Sequence, residues 1–175
     1  TYYVKGQEIP FANHAELTKQ LTSLKKKYLY AQDMAKESLP TLFGADKLRA
    51  ADQFELNSLS SFYYEQTEPG VFRAHRLPAA LQLSSLNASV ELDDALLVGG
   101  NFHNSNIEMG WYDAGFLRGL VVGPEGKMTV RPLAGARIGG QVRAMRKIRI
   151  GDRTAVLVAR NDDSLRIVVG PGEAL

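Results

Sequence analysis

The sequence predicts a mainly β protein: a partial β-propeller of two to three antiparallel blades, preceded by a small α-helical segment. Three observations predict it. Helical periodicity dominates up to about Asp52 and gives way, from Phe54, to short apolar runs. Those runs are separated by turn residues such as "TEPG", "PEGK" and "NDD", the punctuation of antiparallel meanders rather than of alternating βαβ units. The runs also repeat. "SFYYEQTEPGVFRAHRL" and "GLVVGPEGKMTVRPL" align Gly70 with Gly126, Phe72 with Met128 and Leu77 with Leu133 at a single offset. "ALLVGGN" recurs as "AVLVARN", and "LVVGP" returns in "LRIVVGP". A period of roughly 55–60 residues suits a four-stranded blade with extended loops.

The boundary is placed between residues 53 and 54, with a helical segment over 1–53 and blades over 54–175. In the first part, Leu17, Leu21, Leu24 and Tyr28 lie at helical spacing and form one stripe. Asn13 followed by Glu16 reads as a capping pair, since the Asn side chain can accept from an orphan amide at the helix start. Lys25, Lys26 and Lys27 fall where positive charge meets the negative end of the helix dipole. A second helix is expected over Tyr30–Ser38, ending before Pro40, and a third over Ala45–Asp52. Strands follow at 58–66, 71–77, 88–92, 95–100, 117–123, 128–133, 141–150, 153–160 and 164–170.

Composition excludes several classes. There are 175 residues, enough for a substantial core, and the net charge is only +2. No broad nucleic-acid footprint is indicated, so no nucleic-acid partner is expected. The basic runs "KKK" and "RAMRKIR" read as solvated faces. Without cysteine there are no disulfides and no cysteine-ligated metal. No apolar stretch reaches the length of a membrane helix. The chain opens at Thr1 with no signal peptide, so it is expected to be a processed piece with any targeting signal upstream.

Catalytic signatures are missing. His14, His75 and His103 share no metal-ligand spacing, and no metal is expected. There is no G-x-S-x-G elbow, and neither "VGPEGK" nor "ARIGGQ" matches a phosphate-binding loop. The most suggestive stretch is "NFHNSNIEMGWYDAG", a polar loop with aromatics between two apolar strands. Asn101, His103, Asn104, Asn106, Trp111, Tyr112 and Asp113 form the candidate ligand-binding surface. An aromatic face packs on a sugar ring while amide, imidazole and carboxylate groups make directional hydrogen bonds. The competing reading is that the aromatics anchor the loop and the asparagines serve turns. Glu108 and Asp113 are the carboxylates a glycan hydrolase would need.

The order "HRLP … ALLVGGNF … YDAG … GLVVGPEGKMTVRPL … AVLVARNDDSLRIV" resembles the C-terminal blades of bacterial FG-GAP/VCBS-repeat propeller proteins, of the kind that also carry the ASPIC/UnbV module. "ELTKQLTSLKKKY" resembles a helical insertion preceding those blades in some members. The resemblance implies a non-catalytic binding or scaffold module of an exported protein, periplasmic, outer-membrane-associated or extracellular, with protein or glycan partners. It also implies association with the remaining blades or with another copy, because two to three blades do not close a ring. A propeller-type glycan hydrolase is the alternative. Family blades often carry a calcium loop. Here the corresponding positions are Asn87, Ser89, Glu91 and Ala95, with Leu92 in place of the turn glycine, so no cofactor is expected.

Overall fold

The computed structural model describes residues 1–133 and 137–170, and the backbone of 173–174. Ala136 of "ARIGGQ" and Pro171 of the third "VVGP" repeat lie outside the described residues. The protein is mainly β, built from several small antiparallel sheets. No sheet closes into a barrel and no ring of blades is closed among the described residues. Two compact units divide at Asn57 and Ser58.

The first unit opens with a hairpin, β1 (Tyr2–Val4) and β2 (Gln7–Ile9), where the sequence reading expects part of a helical segment. The reason is local. Lys5 and Gly6 both adopt positive φ, 50° and 79°, the conformation of a two-residue hairpin turn. Five short helices follow: α1 (His14–Gln20), α2 (Thr22–Lys27), α3 (Ala31–Met34), α4 (Leu39–Phe43) and α5 (Ala45–Arg49). Asn13 and Glu16 form the capping box read from the sequence, with Asn13 Oδ1 accepting from the Glu16 amide at 3.0 Å and the Glu16 carboxylate accepting from the Asn13 amide at 2.8 Å.

The stripe from Leu17 to Tyr28 is broken at Leu21, whose backbone leaves the helix (φ −119°, ψ 87°). The Thr18 hydroxyl donates back to the His14 carbonyl at 2.8 Å, a contact that bends helices. Leu24, Tyr28, Met34 and Leu42 pack into this unit's core with Leu17 and Phe43 against them, and Leu21 is turned outward. Pro40 does not end a helix here. It occupies the first turn of α4, where the missing amide hydrogen costs nothing.

In the second unit, β3 (Phe62–Glu68) and β4 (Val71–Arg76) form a two-stranded sheet. Then come β5 (Leu86–Leu92), β6 (Ala95–Gly100), β7 (Arg118–Val122) and β8 (Met128–Pro132), a four-stranded meander in chain order. A second meander follows: β9 (Val142–Ile150), β10 (Arg153–Arg160), β11 (Arg166–Val169) and β12 (Glu173–Ala174).

The β5–β8 sheet is covered on both faces. Strand alternation sends Leu97 and Gly99 of β6 one way and Leu96 and Val98 the other. Leu92, Leu97 and Leu117 pack with Val142, Met145, Val156, Val158 and Val168 of the β9–β12 sheet. Leu86, Leu96, Val98, Leu120 and Val130 pack with Tyr63 of β3 and with Leu77 and Leu81 after β4. A bulge between Leu86 and Ala88 explains how β5 feeds both clusters, since one extra residue flips the side chains that follow it.

Candidate functional site

Asn101 ends β6 in the left-handed region, φ 80°, which Asn tolerates better than most residues. Its side chain is 1% exposed and its amide is engaged. Nδ2 donates to the carbonyls of Gly115 (2.9 Å) and Gly140 (3.0 Å), and Oδ1 accepts from the Gly115 amide (2.9 Å). The Asn87 Nδ2 donates to the Asn101 carbonyl at 2.7 Å and to the Val142 carbonyl at 3.3 Å. Asn101, which the sequence reading places on the candidate ligand-binding surface, is thus buried with its side-chain amide engaged inside the fold. Its polar atoms hold together the end of β6, the return of the loop at Gly115 and the approach to β9.

Just beyond it, Phe102 and Tyr112 close the loop with a pair of backbone hydrogen bonds, each 2.9 Å. The Ser84 hydroxyl also donates to the Tyr112 carbonyl at 2.7 Å. The excursion 103–111 is therefore fastened at its base. Within it the Ser105 hydroxyl donates to the Gly110 carbonyl, and the Asn106 carbonyl accepts from the Met109 amide at 2.8 Å. Asn106 Oδ1 accepts from the Glu108 amide at 3.4 Å, a turn role of the kind Asn commonly serves.

What the loop presents is aromatic and apolar. His103 and Trp111 stack with ring centroids 4.6 Å apart and planes 12° apart. The Trp111 side chain is 69% exposed, and Phe102, Met109, Tyr112 and Ile107 are exposed beside it. Phe102, Ile107 and Met109 were not singled out from sequence. Their signal was the apolar residues spaced through an otherwise polar loop. Asn104 and Asp113 are also exposed. His103 Nε2 is buried and makes no hydrogen bond among the described residues. The arrangement is a flat aromatic surface on a clamped base, with polar groups at its margin.

The carboxylates Glu108 and Asp113 both lie in solvent, and neither lines any of three cavities in the second unit. The largest of these, about 250 Å³, lies elsewhere, between Tyr63 and Leu77 on one side and Leu86, Leu96 and Val98 on the other. Among the described residues no three His, Asp or Glu side chains converge on a point where a metal could sit. No described helix is long and apolar enough to cross a membrane.

No protein-family model, no curated protein and no solved structure matches this chain.

Proposed function

We propose that this chain is a non-catalytic binding and scaffold module of an exported bacterial repeat protein, and that the loop carrying His103 and Trp111 receives a glycan. The carrying observation is the exposed indole of Trp111, stacked on His103 above a loop base closed by the Phe102–Tyr112 pair. A sugar ring offers a C–H face that packs on such a surface, and rigid aromatics lose little entropy on binding.

The scaffold reading treats each four-stranded meander as a propeller blade. Two features support it. The β5–β8 and β9–β12 sheets meet chiefly through their first strands, β5 and β9, as wedge-shaped blades around an axis do. The same closing hydrogen bond also recurs: the Asn101 amide donates to the Ser85 carbonyl, and the Asn161 amide donates to the Gln141 carbonyl, each at 2.9 Å. The compartment and the FG-GAP/VCBS likeness rest on the quoted sequence segments. Partners are further blades or a second copy, together with the glycan.

Screening the protein against a glycan array tests the binding reading. Binding should be found and should fall at least tenfold in Trp111→Ala, with thermal stability unchanged within about 0.5 kcal/mol because the indole is exposed. Binding that survives the substitution would remove the loop from the site.

A further inference from the structure

Strand β9 carries more positive charge than an edge strand needs. Arg143, Arg146, Lys147 and Arg149 are all exposed. None of the four makes an ion pair or side-chain hydrogen bond among the described residues. From Gln141 to Gly170 there are seven basic residues against three acidic ones, in a chain whose whole net charge is +2. β9 is the first strand of its sheet, hydrogen-bonds only with β10 and packs against β5, which leaves its other edge without a strand among the described residues. A single inward or edge lysine suffices to discourage edge-to-edge aggregation. Four unpaired cations within seven residues repel one another, and an anionic partner would relieve that repulsion.

The register fixes how these cations are displayed. Lys147 pairs with Val156 and Arg149 with Thr154, whereas Arg146 pairs with Leu157, so the charges project to both faces of the edge. Arg143 lies at the irregularity where β9 starts, opposite Ala159 and Arg160. That end of the strand is tied to the aromatic loop. Asn101 holds the Gly140 carbonyl, and Asn87 bridges Asn101 and Val142. The strip therefore begins where the loop is anchored and runs away from it for about 20 Å at the rise of an extended strand.

We propose that the edge of β9 binds an acidic polysaccharide, its uronate or sulfate groups taken by Arg143, Arg146, Lys147 and Arg149 while the Trp111 loop takes a ring at one end. This rests on the glycan-binding reading and adds the chemistry of the glycan to it. Glu108 and Asp113 on the loop favour a neutral stretch there and leave the anionic groups to the strand. A polynucleotide is the competing polyanion. The short amide and carboxylate side chains around the loop, which suit the many hydroxyls of a sugar and would repel a phosphate on every unit, favour the saccharide.

The test measures binding of the full chain to polygalacturonate, to neutral dextran and to poly-U, between 50 and 200 mM salt. Polygalacturonate should bind best and should lose about tenfold or more in affinity across that range. Replacing the four residues by Gln should cost at least tenfold at low salt, and replacing the three arginines by Lys should retain most of the binding. If the fourfold Gln variant does not fold, R146Q and K147Q are measured singly and each should weaken binding severalfold. Dextran bound as tightly as polygalacturonate, with W111A alone harmful, would overturn the strip and leave the loop reading intact. Tighter binding of poly-U than of polygalacturonate would overturn the saccharide assignment. Loss of both glycans in every form would overturn both readings.

Discussion

Asn101 concentrates several constraints in one residue: a positive φ, near-complete burial and three side-chain hydrogen bonds to backbone groups on two separate segments. Ala at this position would remove the Asn101 partner of the Gly115 amide and of the Gly115 carbonyl, would leave the Gly140 carbonyl only the Val142 amide at 3.1 Å, and would strain a non-glycine backbone. The expected cost is about 3 kcal/mol, read as a lower urea midpoint with an unchanged slope. Asn101→Asp should cost nearly as much, because a carboxylate cannot donate to the two carbonyls. If either variant unfolds at the wild-type midpoint, the clamp is not a determinant of stability. In the β9–β12 sheet it is Arg160 that links separate backbone segments. Arg160, nearly buried, reaches the carbonyls of Gly139 and Ser164 and pairs with Asp163 at 2.5 Å.

At the scale of the element, β6 shows why a run of apolar residues ends in two glycines. A Cβ on Gly100 would lie 1.8 Å from the Ser85 carbonyl oxygen, and one on Gly99 would lie 2.7 Å from Leu117 Cδ1. The first obstacle is backbone and cannot move without breaking the β5–β6 pairing. The second is the tip of a side chain that can. Gly100→Ala should therefore destabilise the protein by more than about 3 kcal/mol, seen as insolubility or a drop in Tm of roughly 10 °C. Gly99→Ala should cost less than half as much. Equal effects on the two would mean that the β5 register is softer than these contacts indicate. The β7–β8 turn carries a similar contact: Gly126, at φ 74°, lies against the His75 ring, which in turn hydrogen-bonds Glu65 at 3.0 Å.

Across the whole molecule, the unbalanced feature is the β3–β4 hairpin. One face holds Tyr63 against the β5–β8 sheet. The other carries Phe62, Tyr64 and Phe72, with Tyr64 and Phe72 each 60% exposed. The outer edge of β3 has no strand beside it among the described residues. An apolar face next to a free edge favours association. Sedimentation velocity should show species larger than the monomer at tens of micromolar, and Tyr64→Lys with Phe72→Lys should return the protein to a monomer. A single monomeric boundary for the unsubstituted chain would count against the scaffold reading.

Much of the architecture was legible in the residues. The Asn13–Glu16 cap, the change of period after about residue 53 and nearly every strand of the second unit follow from local rules, because side-chain alternation and turn chemistry act over a few neighbours. The β1–β2 hairpin was also locally encoded, in the Lys5-Gly6 turn, but its three-residue strands were too short to stand out as a pattern. The break at Leu21, beside the Thr18 hydroxyl that bonds back to the His14 carbonyl, interrupts a stripe that reads as one helix, and Gly44 at φ 89° separates α4 from α5. The loop was located from sequence, but the division of labour within it was not. Asn101 and Asn104 are the same residue type three positions apart, and only the arrival of Gly115 and Gly140 makes one a buried clamp while the other stays in solvent. Sequence by itself determined nearly every strand of the second unit and its antiparallel succession. The tertiary structure alone decided which polar groups are consumed by the fold, because a hydrogen bond between distant segments exists only once the sheets have brought them within 3 Å.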